Sequence, residues 1–245
     1  MDWNTLLCQE RQRSSTSPSG DHRSEFERDL DRAVFSTPVK RLQDKAQVFP
    51  LEPNDAIRTR LTHSLEVSAV ARGLAIAVGK WLRDNDIIEL GMERSIEAIA
   101  ATCGLIHDLG NPPFGHSGED AIRSWFSRSL TEKGLRALLG NNEQLVQDFL
   151  RFDGNAQSLR LVTKLQILAD FNGLNLTFGT LSASCKYISP SHESPALRDS
   201  GDKSRGESFP STVCSAIPCI GVIVEVSDWP PASPLPDRKW PEHNG

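Results

Sequence analysis

The stretch SIEAIAATCGLIHDLGNPP, residues 95–113, decides the fold. Ser95 is a helix-opening residue, and Ile96, Ile99, Ala100, Cys103, Leu105 and Ile106 supply an apolar face behind it. The segment is nearly apolar all round, which predicts a helix at the centre of its domain. Leu109-Gly110-Asn111-Pro112-Pro113 closes it with a capping glycine followed by prolines that cannot continue a helix. His107 and Asp108 stand at that closing end.

The flanking segments are also helical. Residues 57–83 carry Leu61, Leu65, Val67, Ala69, Val70, Leu74, Ile76 and Ala77 mostly on one broad face, which predicts a long amphipathic helix broken at Asn85 or Asp86. Residues 116–129, 145–152 and 159–171 predict three more. Pro38 suits a helix start, with Leu42 and Ala46 turned inward. Val48 to Leu51 is a short apolar run ended by the turn cluster Glu52-Pro53-Asn54-Asp55. Alternation of period two is missing before residue 180, so the class is all-α, without an internal repeat.

Before this body lies a polar arm, residues 1–36. SSTSPSG (14–20) reads as a connector, and Phe26, Leu30 and Val34 make one helical stripe in a segment that is otherwise a solvated arm. After Tyr187 the chain turns rich in Ser, Pro, Asp and Arg, and residues 188–245 are expected to be a largely disordered tail.

Composition narrows the class. The 245 residues fit one domain, or one domain and a tail, with 38 % apolar content and a net charge of −5. No overall basic field advertises nucleic acid. Five scattered cysteines without a CxxC pair argue against a disulfide scaffold or a cysteine zinc site, and for a reducing cytoplasm. The polar start lacks a signal-peptide core, and the apolar stretch 69–78 is broken by Arg72 and Gly73, so no membrane span is expected.

The chemistry gathers around histidines. A buried carboxylate costs several kcal/mol unless it is paired or metal-bound, so Asp108 beside His107 at the end of an apolar helix calls for a cation. His63, in RTRLTHSLEV (58–67), lies on the preceding helix. Packing the two helices side by side brings His63, His107 and Asp108 together as metal ligands. Three protein ligands with open positions make a catalytic pattern, and imidazole with carboxylate suits Mn²⁺, Mg²⁺ or another transition metal. His116 and Glu119, three apart at a helix start, share a face, and a carboxylate can set the tautomer of an imidazole and raise its basicity. Arg60 lies one turn before His63 as a clamp for phosphate oxygens, with Arg58, Lys40 and Arg41 adding positive charge. An ion pair of arginine with Asp55 or Glu66 is the plainer alternative.

The strings RTRLTHSLEV, GLIHDLGNPPFGHSGE (104–119) and RFDGNAQSLR (151–160) closely resemble the deoxyguanosinetriphosphate triphosphohydrolase-like family of the HD superfamily. RLQDKAQVFPLEPND (41–55) and LNLTFGTLSASCKY (174–187) resemble it as well. The resemblance covers roughly residues 2–187. It implies a helical HD domain, partial here, over residues 37–187, and metal-dependent hydrolysis of a dNTP to deoxynucleoside and triphosphate. By resemblance His63, His107 and Asp108 are metal ligands, His116 and Glu119 the catalytic histidine and its partner, and Arg60 a triphosphate contact. It also implies a homo-oligomer tuned by a nucleotide effector. The family's last metal-binding Asp should follow residue 187. Asp199, Asp202, Asp228 and Asp237 there lie in Pro- and Ser-rich surroundings, so the tail reads as non-homologous, from truncation or a frameshift. The competing expectation is an inactive family member that binds nucleotide or single-stranded nucleic acid at most. A weaker one is an HD phosphohydrolase of another substrate, against which the HSGE and GNAQ strings argue.

Overall fold

A computed structural model describes residues 3–15, 20–47, 58–129, 132–140, 142–165 and 172–186. The apolar run 48–51, the turn cluster 52–55, the end of the helix expected to reach Phe171, and the tail 188–245 lie outside the described residues. The chain is all-α: α1 (Trp3–Leu6), α2 (Glu25–Phe35), α3 (Thr37–Arg41), α4 (Arg60–Asp84), α5 (Met92–Ile106), α6 (His116–Ser129), α7 (Glu132–Leu138), α8 (Glu143–Leu150), α9 (Gly154–Thr163) and α10 (Phe178–Ser184). A 3-10 turn, Leu42–Asp44, follows α3. Pairing of extended backbone among the described residues is limited to the bridges Arg11–Thr177 and Ala46–Thr59.

Caps explain most helix starts. Ser24 and Glu27 form a capping box on α2, and Ser36 caps α3 with Pro38 in its first turn. Thr59 opens α4 by accepting from the Thr62 N–H. Asp153 accepts from Asn155 and Ala156, so α9 begins at Gly154, five residues before the expected Leu159. The apolar period alone had no access to that polar cap.

Helix α5 is the hub. Helices α4, α2 and α10 all pack on it, while α6, α7 and α8 form a second group. The main core joins Leu105, Ile106 and Leu109 to Leu159 and Val162 of α9, Leu176, Leu181, and Val39 and Leu42. Residues ahead of 37 also contribute: Phe26 is fully buried against Ala98 and Ile99 of α5. The stripe on α2 is turned from the expected one, since Phe26, Asp29 and Ala33 are its buried residues and Val34 is exposed.

Helix α4 corrects a second expectation. Its buried residues are Arg60, Ser64, Ala75, Gly79 and Leu82, while Leu65, Val70, Leu74, Ile76, Val78 and Trp81 face outward. Small residues let the two long helices close in. A Cβ on Gly104 would lie 2.8 Å from Ser68 Cα, and one on Gly79 would lie 3.0 Å from Glu93 Cβ. Both apolar faces satisfy the helical period, and backbone approach selects the smaller one. By length and composition alone α4 is long and apolar enough to cross a bilayer. Its packing on α5 identifies it as a domain helix instead. Leu74, 65 % exposed, makes the test. Leu74→Glu is expected to leave stability within about 0.5 kcal/mol and to lower binding of a hydrophobic dye. Urea unfolding with dye fluorescence checks both, and a large loss of stability would mean the face is covered in solution.

Candidate metal centre

The antiparallel contact of α4 with α5 positions the ligands. Ser68 and Gly79 are eleven residues apart, as are Glu93 and Gly104, so the two contacts share one register. Extending it by one turn sets the first turns of α4 opposite the residues that end α5. His63, His107 and Asp108 meet there, each offering one ligand atom, all within 4.8 Å of one another. The imidazoles of His63 and His107 stand edge to face, with ring centroids 5.4 Å apart and planes at 66°. Both histidines are half-exposed or less, and Asp108 is buried.

The neighbours prepare these groups. His107 Nδ1 lies 2.8 Å from the Gly104 carbonyl. With the proton on Nδ1 donated to that oxygen, Nε2 keeps a lone pair on the side of Asp108, whose Oδ1 is 3.7 Å away. Asp108 accepts from Arg60 Nη1 on Oδ2 at 2.5 Å and from Asn111 Nδ2 on Oδ1. Arg60 is only 4 % exposed, and its Nε is buried without a hydrogen-bond partner among the described residues. A Cβ on Gly115 would come within 3.0 Å of Arg60 Nη2, so the bare glycine leaves room for the guanidinium. Two imidazoles and one carboxylate with open positions fit a catalytic divalent cation, and Arg60 balances the buried carboxylate.

Lys45 completes the positive side. Its Nζ donates to the carbonyls of Asn111 at 3.1 Å and Leu109 at 3.4 Å. Burial holds its ammonium below the usual lysine range, reinforced by Arg60 and Arg41 and opposed by Asp108. Cys103 is not among the grouped ligand atoms, and burial pushes its thiol up to about 12.

The turn after Asp108 is held from behind by α9. Ser158 Oγ accepts from the Gly110 N–H at 2.9 Å and donates to the His107 carbonyl at 3.2 Å. A Cβ on Gly110 would sit 2.2 Å from both Gly154 O and Ser158 N, so only glycine permits this contact. Phe114, with φ +67°, carries backbone strain in the loop that leads to α6.

The other expected site residues are distributed differently. His116 opens α6 and is exposed. Glu119 is buried and accepts from the Gly154 N–H at 2.8 Å and from Arg123 at 3.2 Å, with no hydrogen bond to His116 among the described residues. Arg58 is exposed and paired with Glu66 at 2.9 Å, the plainer of its two readings. Lys40 is exposed on α3. Sequence reasoning did not single out Lys45, Asn111, Arg123 or Ser158. Asn111 alone carried a signal, three residues past Asp108 at a helix exit. A cavity of about 260 Å³ flanks His107, lined by Cys103, Asn155, Ser158, Cys185 and Lys186.

The HD domain family matches residues 60–149, the segment that contains all three candidate ligands. A deoxyguanosinetriphosphate triphosphohydrolase-like protein of Listeria monocytogenes is 47 % identical over 199 residues, covering 76 % of this chain and 42 % of that protein. One of Pseudomonas aeruginosa is 43 % identical over 198 residues, covering 80 % and 44 %. The deoxyguanosinetriphosphate triphosphohydrolase of Yersinia enterocolitica is 38 % identical over 192 residues, covering 68 % and 37 %. The chain therefore spans about two fifths of the length of these curated relatives. Over the part they share, this is an HD-domain protein of the deoxyguanosinetriphosphate triphosphohydrolase-like family.

Proposed function

We propose that this chain carries the metal-binding half of a dNTP triphosphohydrolase site, acting on dGTP or a related dNTP with Mn²⁺ or Mg²⁺. The observation that carries the reading is the convergence of His63, His107 and Asp108, with ligand atoms within 4.8 Å of one another, beside a buried arginine whose Nε has no partner among the described residues. A divalent ion bound there supplies Lewis acidity toward phosphate oxygens. His63, His107 and Asp108 hold it. Arg60, whose Nε has no partner among the described residues, donates to the triphosphate, and Lys40 and Arg58, both exposed, add charge at the approach. Water adds at the α-phosphorus, the bond from that phosphorus to the sugar O5′ breaks, and O5′ takes up a proton. His116 is the proposed carrier of that proton, its exposure matching a group that must reach substrate. Glu119 fixes α6 to Gly154, and so sets where His116 stands.

The same reading brings finer proposals: a nucleotide effector, a homo-oligomer, contact with single-stranded nucleic acid, and a cytoplasmic setting. The likeness to dGTP triphosphohydrolase-like proteins supports a nucleotide substrate ahead of these.

The test is triphosphate release from dGTP by the purified chain with Mn²⁺, His107→Ala serving as control. Release that disappears in His107→Ala is the expected result. No release from a folded chain with any dNTP would overturn the reading.

A further inference from the structure

We propose that Lys45 is a positioning residue for the metal centre, joining the two helix ends that carry its ligands. The inference rests on the metal reading above. Helix ends leave backbone groups without intrahelical partners: N–H groups at the start of α4 and C=O groups at the close of α5. Lys45 meets both. Its backbone carbonyl accepts the Arg60 N–H at 2.9 Å, in the first turn of α4, one turn ahead of His63. Its ammonium donates to Leu109 O and Asn111 O, in the turn that follows His107 and Asp108. The negative end of α5's dipole also favours a cation at that place.

The neighbouring contacts give this link a fixed geometry. The Ala46–Thr59 bridge aligns the extended backbone next to Lys45's contact with Arg60. The Lys45 N–H closes on Leu42 O at 3.2 Å, which ties it to the fully buried Leu42 of the core. Asn111, whose carbonyl Lys45 holds, gives its side-chain amide to Asp108. The chain of contacts runs from the Lys45 ammonium through Asn111 to the ligand carboxylate. On the other branch it runs from the Lys45 carbonyl through Arg60 to the same carboxylate. Lys45 touches no proposed ligand atom, so its effect is on ligand placement, the kind of outer support whose loss lowers metal affinity about 10- to 100-fold.

The probe is Co²⁺ added to the purified full chain, read by its visible absorption spectrum and by calorimetric titration. Lys45→Met keeps the backbone carbonyl and removes the ammonium. It is expected to weaken Co²⁺ binding at least about tenfold and to alter the spectrum, while Lys45→Arg, which retains charge and donors, recovers most of both. Val146→Ala, in the buried core of α8, serves as the comparison for destabilisation alone and is expected to keep the wild-type spectrum. A folded Lys45→Met with wild-type affinity and spectrum would overturn the proposal for Lys45 and leave the metal reading standing. Failure of the wild-type chain to take up Co²⁺, with His107→Ala identical to it, would overturn both. Should Lys45→Met not fold, Lys45→Gln with the same readouts decides by the same criteria.

Discussion

Asp108→Ala is expected to abolish metal binding and metal-dependent hydrolysis, and to destabilise the fold as well. The carboxylate is 6 % exposed and serves three groups: the cation site with His63 and His107, the guanidinium of Arg60, and the amide of Asn111. Loss of a charged ligand from a set of three leaves two neutral imidazoles, which hold a hard divalent ion poorly. Several kcal/mol of charge stabilisation in the transition state goes with the ion, so turnover is expected to fall at least about a thousandfold. The same change strands Arg60, itself 4 % exposed, without its anion. Breaking one side of a buried pair costs roughly 3–5 kcal/mol. A double-mutant cycle separates the two effects. Arg60→Gln with Asp108→Asn replaces the ion pair by a neutral hydrogen-bonded pair and is expected to recover much of the stability and none of the metal binding. Urea unfolding and Mn²⁺ titration on the wild type, Arg60→Gln, Asp108→Asn, the double variant and Asp108→Ala make the measurement. Wild-type metal affinity in Asp108→Ala would place the cation elsewhere.

The chemistry at this point was more legible in the sequence than its surroundings were. An apolar helix that ends in His-Asp and then Gly-Asn-Pro-Pro states both its burial and its stop, and α5 ends at Ile106 in keeping with it, although it opens at Met92 behind Gly91, with the expected opener Ser95 buried inside it. His63 was legible because it lies on the long helix that precedes α5, and two adjacent long helices joined by a short loop pack antiparallel. What was not legible depends on backbone approach. The period of α4 suits either face, and only the contacts of Gly104 on Ser68 and Gly79 on Glu93 select the smaller one. The residues that support the ligands were hidden for a related reason. Lys45 acts through carbonyls of residues more than sixty positions away, and no local pattern marks such a contact. Glu119 illustrates the opposite limit. Its spacing from His116 suggested a partner on the same face, yet its oxygens are taken by Gly154 and Arg123. Helical spacing gives the chance of a contact, and competition among nearby donors decides it.

Asp29→Ala is expected to produce the largest loss of stability away from the metal centre. The sequence presents residues 1–36 as a polar arm, and its composition of acids and arginines gives no sign of a core contribution. Burial reverses the meaning of those charges. Asp29 is fully buried, and Arg11 Nη1 donates to its Oδ1 at 2.6 Å. Its Oδ2 accepts from the Thr177 N–H at 2.9 Å and from the Thr177 hydroxyl at 2.7 Å. Arg11 also reaches Glu25 and the Asn175 carbonyl, so one carboxylate joins the first segment of the chain, α2 and the start of α10. Its removal leaves a guanidinium buried with one anion fewer, at a cost of roughly 3–5 kcal/mol, or about 10 °C in melting temperature for a domain of this size. Asp29→Asn, which keeps the shape and one acceptor, is expected to lose less. The ligands stand two turns of α5 beyond the Ala98–Ile99 contact with Phe26, so Co²⁺ affinity of the folded variant is expected to stay near wild type. Thermal unfolding and Co²⁺ titration check the two halves separately. A loss below about 1 kcal/mol would mean that this network contributes little in solution and that residues 1–36 are the solvated arm their composition describes. A full loss would mean that charged residues at the front of the chain hold the rear of α5, the helix whose far end builds the site.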